Sequence, residues 1–171
     1  MDKEQDESKL KFGLVGRDIS YSFSRGYFAD KFESENSPHT YVNFDLKSII
    51  ELDAIIKNTP TLKGLNVTIP YKEEVIPLLD DLNKRAQKIG AVNTIRITHN
   101  QKLIGYNTDY FGFKNSLNPH LEKHHKTALI LGTGGASKAV CFFSCFGSRS
   151  DRGRLWLASD WLFTPESCAG G

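Results

Sequence analysis

A lysine follows a short apolar strand that carries polar side chains at alternate positions, an arrangement suited to proton transfer on a small polar ligand. Residues 66–72 read Asn-Val-Thr-Ile-Pro-Tyr-Lys. Side chains alternate along a strand, so Asn66 and Thr68 are predicted to share one face, and Pro70 ends the strand. Lys72 then projects at the carboxyl end of the strand, where ligands bind in open α/β sheets. The alternative is a solvated charge in the first turn of a helix, where the helix dipole disfavours a cation.

Two further polar side chains lie at the edges of apolar segments. Asn93 lies in Gly-Ala-Val-Asn-Thr (90–94), and Asp109 ends Gly-Tyr-Asn-Thr-Asp (105–109). An amide and a carboxylate at such positions can donate to and accept from the hydroxyl groups of a ligand. The alternatives are an amide that stabilises a turn for Asn93 and a helix cap for Asp109.

Three serines alternate with other residues before a predicted helix. Ser20, Ser22 and Ser24 follow Gly-Arg-Asp-Ile (16–19). Hydroxyl groups spaced in this way are good donors for a carboxylate. The alternative is a cluster that caps the helix and stabilises a turn.

A glycine-rich turn follows an apolar strand near residue 130 and opens a helix. The turn reads Gly132-Thr-Gly134-Gly135-Ala136-Ser137. Glycines there let backbone N–H groups approach a phosphate, and the helix N-terminus adds about half a positive charge. The pattern predicts the start of a dinucleotide-binding unit, although Ser137 replaces the third glycine of the usual fingerprint. The alternative is a plain strand-to-helix turn.

The elements that must position these side chains alternate between strand and helix. This alternation predicts an α/β fold with a largely parallel sheet. A strand–turn–strand pair is expected around His99–Asn100, and a polar connector over 118–126 marks a boundary. The other predicted strands are 10–15, 40–46, 64–69 and a fully buried one at 127–131, and the predicted helices are 24–34, 48–57, 71–79, 80–89 and one from Asp109.

Composition narrows the classes of function. The 171 residues are 39% hydrophobic and 25% charged with a net charge of +2, which is ordinary for a globular protein and argues against nucleic acid as the main partner. No apolar run approaches the ~20 residues of a membrane span, and the charged start lacks a signal-peptide core. We therefore predict a cytoplasmic protein. His120 and His124 are four residues apart but lie in the polar connector without Cys or acidic partners at ligand spacing, so no metal site is predicted.

The composition changes after residue 140. All three Cys and both Trp follow that position, whereas every Lys lies at or before Lys138. Residues 141–171 show no clear strand or helix periodicity, and the apolar segment RLWLASDWLF (154–163) has no evident pairing partner. Two interpretations are open. One is an unusual carboxyl-terminal segment, and the other, which this sorting favours, is a segment translated from a shifted reading frame.

Taken together, the motifs resemble the shikimate dehydrogenase family from about Leu10 to Val140. The segment 16–24 and the motifs LNVTIPYK, GAVNT, GYNTD and GTGGASKA occur in the family's order and at plausible spacing. The resemblance implies an N-terminal substrate domain with a largely parallel sheet over 10–117. It further implies the start of an incomplete Rossmann-type NADP-binding domain over 127–147, followed by an aberrant tail over 148–171.

The resemblance also implies a function and a role for each motif residue. Family members use NADP to interconvert 3-dehydroshikimate and shikimate in chorismate and aromatic amino-acid biosynthesis. Lys72 matches the catalytic lysine, with Asp109 as its partner. Ser22 and Ser24 match the serines that hold the substrate carboxylate. The substrate-binding residues expected from the match are Ser22, Ser24, Asn66, Thr68, Lys72, Asn93 and Asp109, and the cofactor-binding residues are Gly132, Gly134, Gly135 and Ala136.

The chain departs from the family pattern after Val140. Ser148-Arg149-Ser150 superficially resembles a loop that reads the 2′-phosphate of NADP, and Asp151 has the spacing of an NAD-type acid, but no apolar strand precedes either. We therefore expect a shikimate dehydrogenase sequence whose activity in this chain is uncertain. The alternatives are a non-catalytic shikimate-binding fragment and a quinate-type dehydrogenase. Oligomeric state is not predicted.

Overall fold

The computed structural model describes residues 9–122, 124–125, 127–146 and 154–157. Its larger part is a six-stranded sheet, and its smaller part is a pair of strands with one helix. The strands are β1 (Lys11–Gly16), β2 (Thr40–Asp45), β3 (Leu62–Val67), β4 (Asp81–Leu82), β5 (Thr94–Ile97), β6 (Leu103–Tyr106), β7 (Thr127–Ile130) and β8 (Arg154–Leu157). The α-helices are α1 (Phe23–Ser34), α2 (Leu52–Asn58), α3 (Tyr71–Glu74), α4 (Lys84–Ile89), α5 (Asp109–Leu117) and α6 (Gly135–Phe146), with 3₁₀ turns at Ile49–Glu51, Ile76–Leu78 and Asn118–His120.

The large sheet has the order β2-β1-β3-β5-β6-β4. β1 pairs in parallel with β2 and with β3, and β4 pairs in parallel with β6. β5 and β6 form the predicted antiparallel hairpin, and β5 also runs antiparallel to β3. The predicted α/β fold with a largely parallel sheet is therefore confirmed.

Alternation along the strands builds a core on each face of this sheet. On one face, Val15, Leu65 and Ile95 are at most 2% exposed and belong to a cluster that also holds residues of α2, α3 and α4. On the other face, Leu14 and Tyr41 pack with Phe28 and Phe32 of α1. Burying a large apolar side chain stabilises a fold by about 1.5–3 kcal/mol, so these two clusters fix which way each strand faces.

Two local predictions in this part are wrong. The helix predicted over 80–89 begins only at Lys84, because Asp81 and Leu82 form β4 alongside β6. Asn83 then caps the shortened helix by accepting a hydrogen bond from the backbone N–H of Arg85. The strand predicted over 64–69 ends at Val67, where the chain turns into α3.

The smaller part of the structure differs from expectation in burial and in pairing. β7 was expected to be fully buried, but Leu129 is 64% exposed. Residues 154–157 form β8, which pairs in parallel with β7, so the prediction that nothing pairs with this segment is wrong for its first four residues. The rest of the segment predicted as an aberrant tail, and the positions 148–151, lie outside the described residues.

Helix α6 joins the two parts. Ala139 and Phe143 pack against Ile89 of α4 and Tyr110 of α5 in one buried cluster. The rings of Tyr110 and Phe143 meet edge to face with centroids 6.1 Å apart. The start of α6 is thereby placed beside the carboxyl end of β3. Within the part of the chain that the structure describes, no helix has the length and apolar character to cross a membrane.

Candidate functional site

Lys72 and Asp109 form an ion pair at the carboxyl ends of β3 and β6. Lys72 lies in α3, which begins immediately after the turn that follows β3, and Asp109 opens α5. The Nζ atom of Lys72 donates to Oδ2 of Asp109 at 2.7 Å. The two side chains are 14% and 31% exposed, so the pair is shielded but still accessible to a small molecule. Sequence analysis predicted this meeting of Lys72 and Asp109 only through the resemblance.

Asn93 holds the carboxylate of Asp109 from the other side. Its Nδ2 atom donates to Oδ1 of Asp109 and to Oγ1 of Thr108, both at 2.8 Å. Its Oδ1 atom accepts from the backbone N–H of Thr108 at 2.8 Å. Asn93 is only 9% exposed, so it stabilises the turn before α5 and fixes the orientation of the Asp109 carboxylate.

Asn66 extends this network across the sheet. Its Nδ2 atom donates to Oγ1 of Thr94 at 3.4 Å, and Thr94 Oγ1 donates to Oδ1 of Asn93 at 3.1 Å. Its Oδ1 atom accepts from the hydroxyl of Tyr41 at 2.8 Å. Hydrogen bonds therefore run without interruption from Tyr41 on β2 to Lys72.

Tyr41, like Thr94, is a member of this network that sequence analysis missed as a site residue. It lies in a strand of ordinary β-forming residues, and its contact with Asn66 arises because β1 separates β2 from β3 by a single strand. The ring of Phe28 stacks on that of Tyr41 with centroids 4.5 Å apart. Burial raises the pKa of Tyr41 to about 12, against a smaller opposing effect of a hydrogen bond with the side chain of Ser24.

The raised pKa of Tyr41 predicts a specific loss of stability in alkali. A tyrosine in the unfolded chain ionises near pH 10. The buried, neutral Tyr41 side chain therefore contributes its full stabilisation to the fold below about pH 10, and this contribution is lost as pH rises towards about 12. Tyr41→Phe keeps the stacked ring and removes the hydroxyl, which is expected to cost about 1 kcal/mol of unfolding free energy at pH 8. This cost is expected to shrink between pH 10 and 12 in urea unfolding experiments. Tyr21→Phe, at a position 75% exposed, is the matched control, and a cost that stays constant with pH contradicts the prediction.

The two serines predicted to bind a carboxylate lie at the start of α1. Ser22 is the N-cap, and its hydroxyl oxygen accepts from the backbone N–H of Ser24 at 3.2 Å. The capping alternative therefore holds for Ser22. The Ser24 side chain lies near Tyr41, where it acts to lower the pKa of the Tyr41 hydroxyl against the larger effect of burial. Both serines are half-buried, whereas Ser20 is exposed.

Thr68 lies in the turn between β3 and α3. Its backbone N–H donates to the carbonyl of Val15 at 2.9 Å, and its carbonyl accepts from the N–H of Tyr71 at 2.9 Å. Gly16 lies so close that a Cβ atom there would be 2.6 Å from Cγ2 of Thr68. Thr68 is thus fixed through its backbone four residues before Lys72.

The glycine-rich turn lies against the segment that carries Lys72. Gly132 has φ +115°, a conformation that favours glycine. A Cβ atom on Gly135 would be 2.8 Å from Cβ of Lys72 and 3.1 Å from Cβ of Ala91, so glycine is required for this approach. Gly132, Gly134 and Ala136 are exposed. The turn can therefore offer its backbone N–H groups to a phosphate beside Lys72.

Comparison with known proteins assigns a family to this arrangement. Residues 14–95 match the family model described as the shikimate dehydrogenase substrate binding domain. These residues form a domain of that family. Asn66, Thr68, Lys72 and Asn93 all lie within the matched part.

Relatives match a longer part of the chain than the family model does. An NADP(+) shikimate dehydrogenase of Clostridium botulinum is 42% identical over 133 residues, which cover 76% of this chain and 51% of that protein. The corresponding enzyme of Staphylococcus epidermidis is 42% identical over 135 residues, which cover 77% of this chain and 49% of that protein. The chain therefore spans about half the length of these relatives.

Solved structures show the same likeness in three dimensions. Shikimate dehydrogenase 1 from Peptoclostridium difficile superposes with a TM-score of 0.76 at 40% identity, covering 86% of this chain and 56% of that one. The enzyme of Thermus thermophilus, solved in complex with NADP(H) and shikimate, superposes with a TM-score of 0.71 at 31% identity, covering 94% of this chain and 58% of that one.

The described structure thus brings together most of the predicted site residues. Hydrogen bonds connect Tyr41 through Asn66, Thr94, Asn93 and Asp109 to Lys72, and Ser22 and Ser24 lie at the Tyr41 end of this network. Thr68 lies four residues before Lys72, and the glycine-rich turn lies against the segment that carries Lys72. Both are therefore next to this network. Across the described residues, no three His, Cys, Asp or Glu side chains are grouped so that they could hold a metal ion.

Proposed function

We propose that this chain carries the catalytic centre of an NADP-dependent shikimate dehydrogenase, which interconverts 3-dehydroshikimate and shikimate. The observation that carries the proposal is the Lys72–Asp109 pair beside the glycine-rich turn, with Gly135 in contact with Cβ of Lys72. Lys72, the proposed proton donor, therefore lies on a segment next to the turn proposed to hold a cofactor phosphate. The similarity of this chain to relatives and solved structures that are named shikimate dehydrogenases also supports the proposal.

The polar network suits a ligand with one carboxylate and several ring hydroxyls. Ser22 and Ser24 are proposed to hold the carboxylate at the start of α1. Asn66, Thr68 and Asn93 are proposed to bind the ring hydroxyls. The side chains of Ser22, Asn66 and Asn93 already make hydrogen bonds within the domain, so they lose little freedom when the ligand binds.

Lys72 is proposed to move the proton. Reduction of a ketone produces an alkoxide that needs a proton, and Nζ of Lys72 can supply it and recover it in the oxidation direction. Asp109 holds Nζ at 2.7 Å and can accept a hydrogen bond from a neighbouring ring hydroxyl. Asn93 keeps the second carboxylate oxygen in place, so the pair is preorganised for this transfer.

The residues of the glycine-rich turn fit the phosphates of NADP. Gly132, Gly134, Gly135 and Ala136 are proposed as the cofactor-binding residues, because the turn is open to solvent and precedes the twelve-residue helix α6. NADP supplies or accepts the hydride of the reaction when it is bound. The strand β8 beside β7 agrees with a dinucleotide-binding unit. We accordingly propose 10–117 as the substrate domain and 127–147 as the start of the cofactor domain.

Calorimetric titration of the full chain with shikimate and with quinate tests the proposal. We expect shikimate to bind and Ser24→Ala to weaken it by about three- to thirtyfold, because a hydrogen bond to a charged group contributes about 1.5–3 kcal/mol and water replaces part of it. Ser116→Ala, at an exposed position on α5, is the matched control.

The same protein is then assayed with NADP+ for oxidation of each compound. Oxidation of shikimate supports the proposal in full. Binding without oxidation supports the alternative of a non-catalytic shikimate-binding protein. Preference for quinate in both assays indicates the quinate-type alternative, and binding of neither compound contradicts the proposal.

A further inference from the structure

An ion pair joins the start of α6 to the segment that carries Lys72. The Nζ atom of Lys138 contacts Oε2 of Glu73, and the two side chains are 36% and 39% exposed. Glu73 directly follows Lys72, and Lys138 lies three residues after Gly135. The pair therefore spans the boundary between the substrate domain and the proposed cofactor turn.

Each residue of this ion pair lies on a segment whose position is fixed by other contacts. The carbonyl of Lys72 accepts from the backbone N–H of Val92 at 2.7 Å, so the backbone before Glu73 is held by the substrate domain. On the other side, Gly135 lies so near Lys72 that a Cβ atom on it would be 2.8 Å from Cβ of Lys72, which limits displacement towards the substrate domain. The ion pair opposes displacement in the other direction, away from Lys72.

The apolar contacts of α6 lie mostly after Lys138. Ala139 and Phe143 pack in one cluster with residues of α4 and α5. In the first turn, which the cofactor phosphates would approach, Gly135 lies beside Ala91 of that cluster and Ala136 is exposed. The ion pair adds a charged link from the end of this turn to the residue next to Lys72.

We propose that Glu73 and Lys138 are positioning residues that hold the glycine-rich turn at a fixed distance from Lys72. This inference rests on the proposed function. Neither residue is among the proposed substrate-binding residues. The ion pair fixes where the cofactor phosphates lie relative to the amine of Lys72, and proximity of this kind controls the rate of transfer between bound groups.

Charge reversal tests the proposal in the full chain. Variants are Glu73→Lys, Lys138→Glu and the double reversal, with Lys57→Glu as the control at an exposed pair remote from the site. Two quantities are measured. One is hydrogen exchange of the backbone amides of α6, and the other is the Kd for NADP+ and for shikimate by calorimetry.

Each single reversal is expected to speed exchange in the first turns of α6 and to raise the Kd for NADP+ by about three- to tenfold, because partly exposed charges interact weakly in water. The double reversal is expected to restore both. The Kd for shikimate is expected to stay within about twofold throughout, which separates positioning of the turn from general loss of structure.

Other outcomes overturn the inference. Unchanged exchange in both single variants shows that the pair does not hold α6. A weakened NADP+ complex in Lys138→Glu alone, without rescue by the double reversal, shows that Lys138 binds phosphate directly. If the unaltered chain binds shikimate but not NADP+, the cofactor part of the proposed function fails, and exchange in α6 still decides whether the pair positions the helix.

Discussion

Lys72→Ala is expected to lower the turnover of NADP+-dependent shikimate oxidation by a factor of about 10²–10⁴, the contribution of a well-placed acid–base group. The Kd for shikimate is expected to change far less, within about tenfold. The difference follows from the geometry, since Nζ of Lys72 is one contact among several on the proposed ligand but the only amine bonded to Asp109 within the described residues. Steady-state kinetics and calorimetry measure the two quantities separately.

Lys102→Ala is the matched control for this prediction. Lys102 is exposed in the turn between β5 and β6, and its removal takes away the same charge without touching the network. Turnover that is unchanged in Lys72→Ala contradicts the proton-transfer role of Lys72. Turnover that falls together with an equally large loss of shikimate affinity shows that Lys72 binds substrate and does not act on the chemical step.

The local pattern of the sequence was sufficient to predict much of the six-stranded sheet. Strands at β1, β2 and β3 follow from short apolar runs ended by Gly, Asp or Pro, and the hairpin of β5 and β6 follows from the polar turn between them. The helix α5 begins at Asp109 as predicted. In each of these cases one element is defined by its own residues, so no knowledge of its neighbours was needed.

Strands that form only by pairing with a segment far away in the sequence were not predicted. Asp81–Leu82 is too short to show periodicity and becomes a strand only because β6 lies beside it. Arg154–Leu157 pairs with β7, which lies more than twenty residues earlier. A contact of this kind depends on tertiary packing, which overrides local propensity for short segments.

The candidate site shows the same division. Strand alternation predicted that Asn66 and Thr68 share a face, but β3 ends at Val67 and Thr68 lies in the turn that follows. The predicted end of this strand did indicate where Lys72 lies. The local pattern alone did not distinguish ligand binding by Asn93 and Asp109 from a turn-stabilising amide and a helix cap. The family resemblance then favoured ligand binding. The link from Tyr41 to Asn66 depends on strand order, and the Glu73–Lys138 pair depends on where α6 docks, so neither could be found from spacing.

Among residues that are not proposed to transfer a proton, Asn93 is expected to cause the largest loss of stability and of shikimate affinity when it is replaced by alanine. This substitution removes the donor to Oδ1 of Asp109 and the acceptor for the N–H of Thr108, each at 2.8 Å. The loss of hydrogen bonds at a position only 9% exposed is expected to cost about 1–3 kcal/mol of unfolding free energy. With Asp109 held only through its Oδ2 atom by Lys72, the Kd for shikimate is expected to rise by about ten- to a hundredfold, since each tenfold corresponds to about 1.4 kcal/mol.

Urea unfolding and calorimetry test this expectation against Asn115→Ala, which removes an exposed amide from α5. Asn115→Ala is expected to leave both quantities nearly unchanged, because alanine is well tolerated at an exposed helical position. A large loss of stability in Asn93→Ala with unchanged shikimate affinity would mean that Asn93 serves the turn before α5 alone. If shikimate affinity falls as well as stability, orientation of the Asp109 carboxylate is itself part of binding. Asn93 then uses one side-chain amide both to stabilise the turn before α5 and to orient a ligand contact.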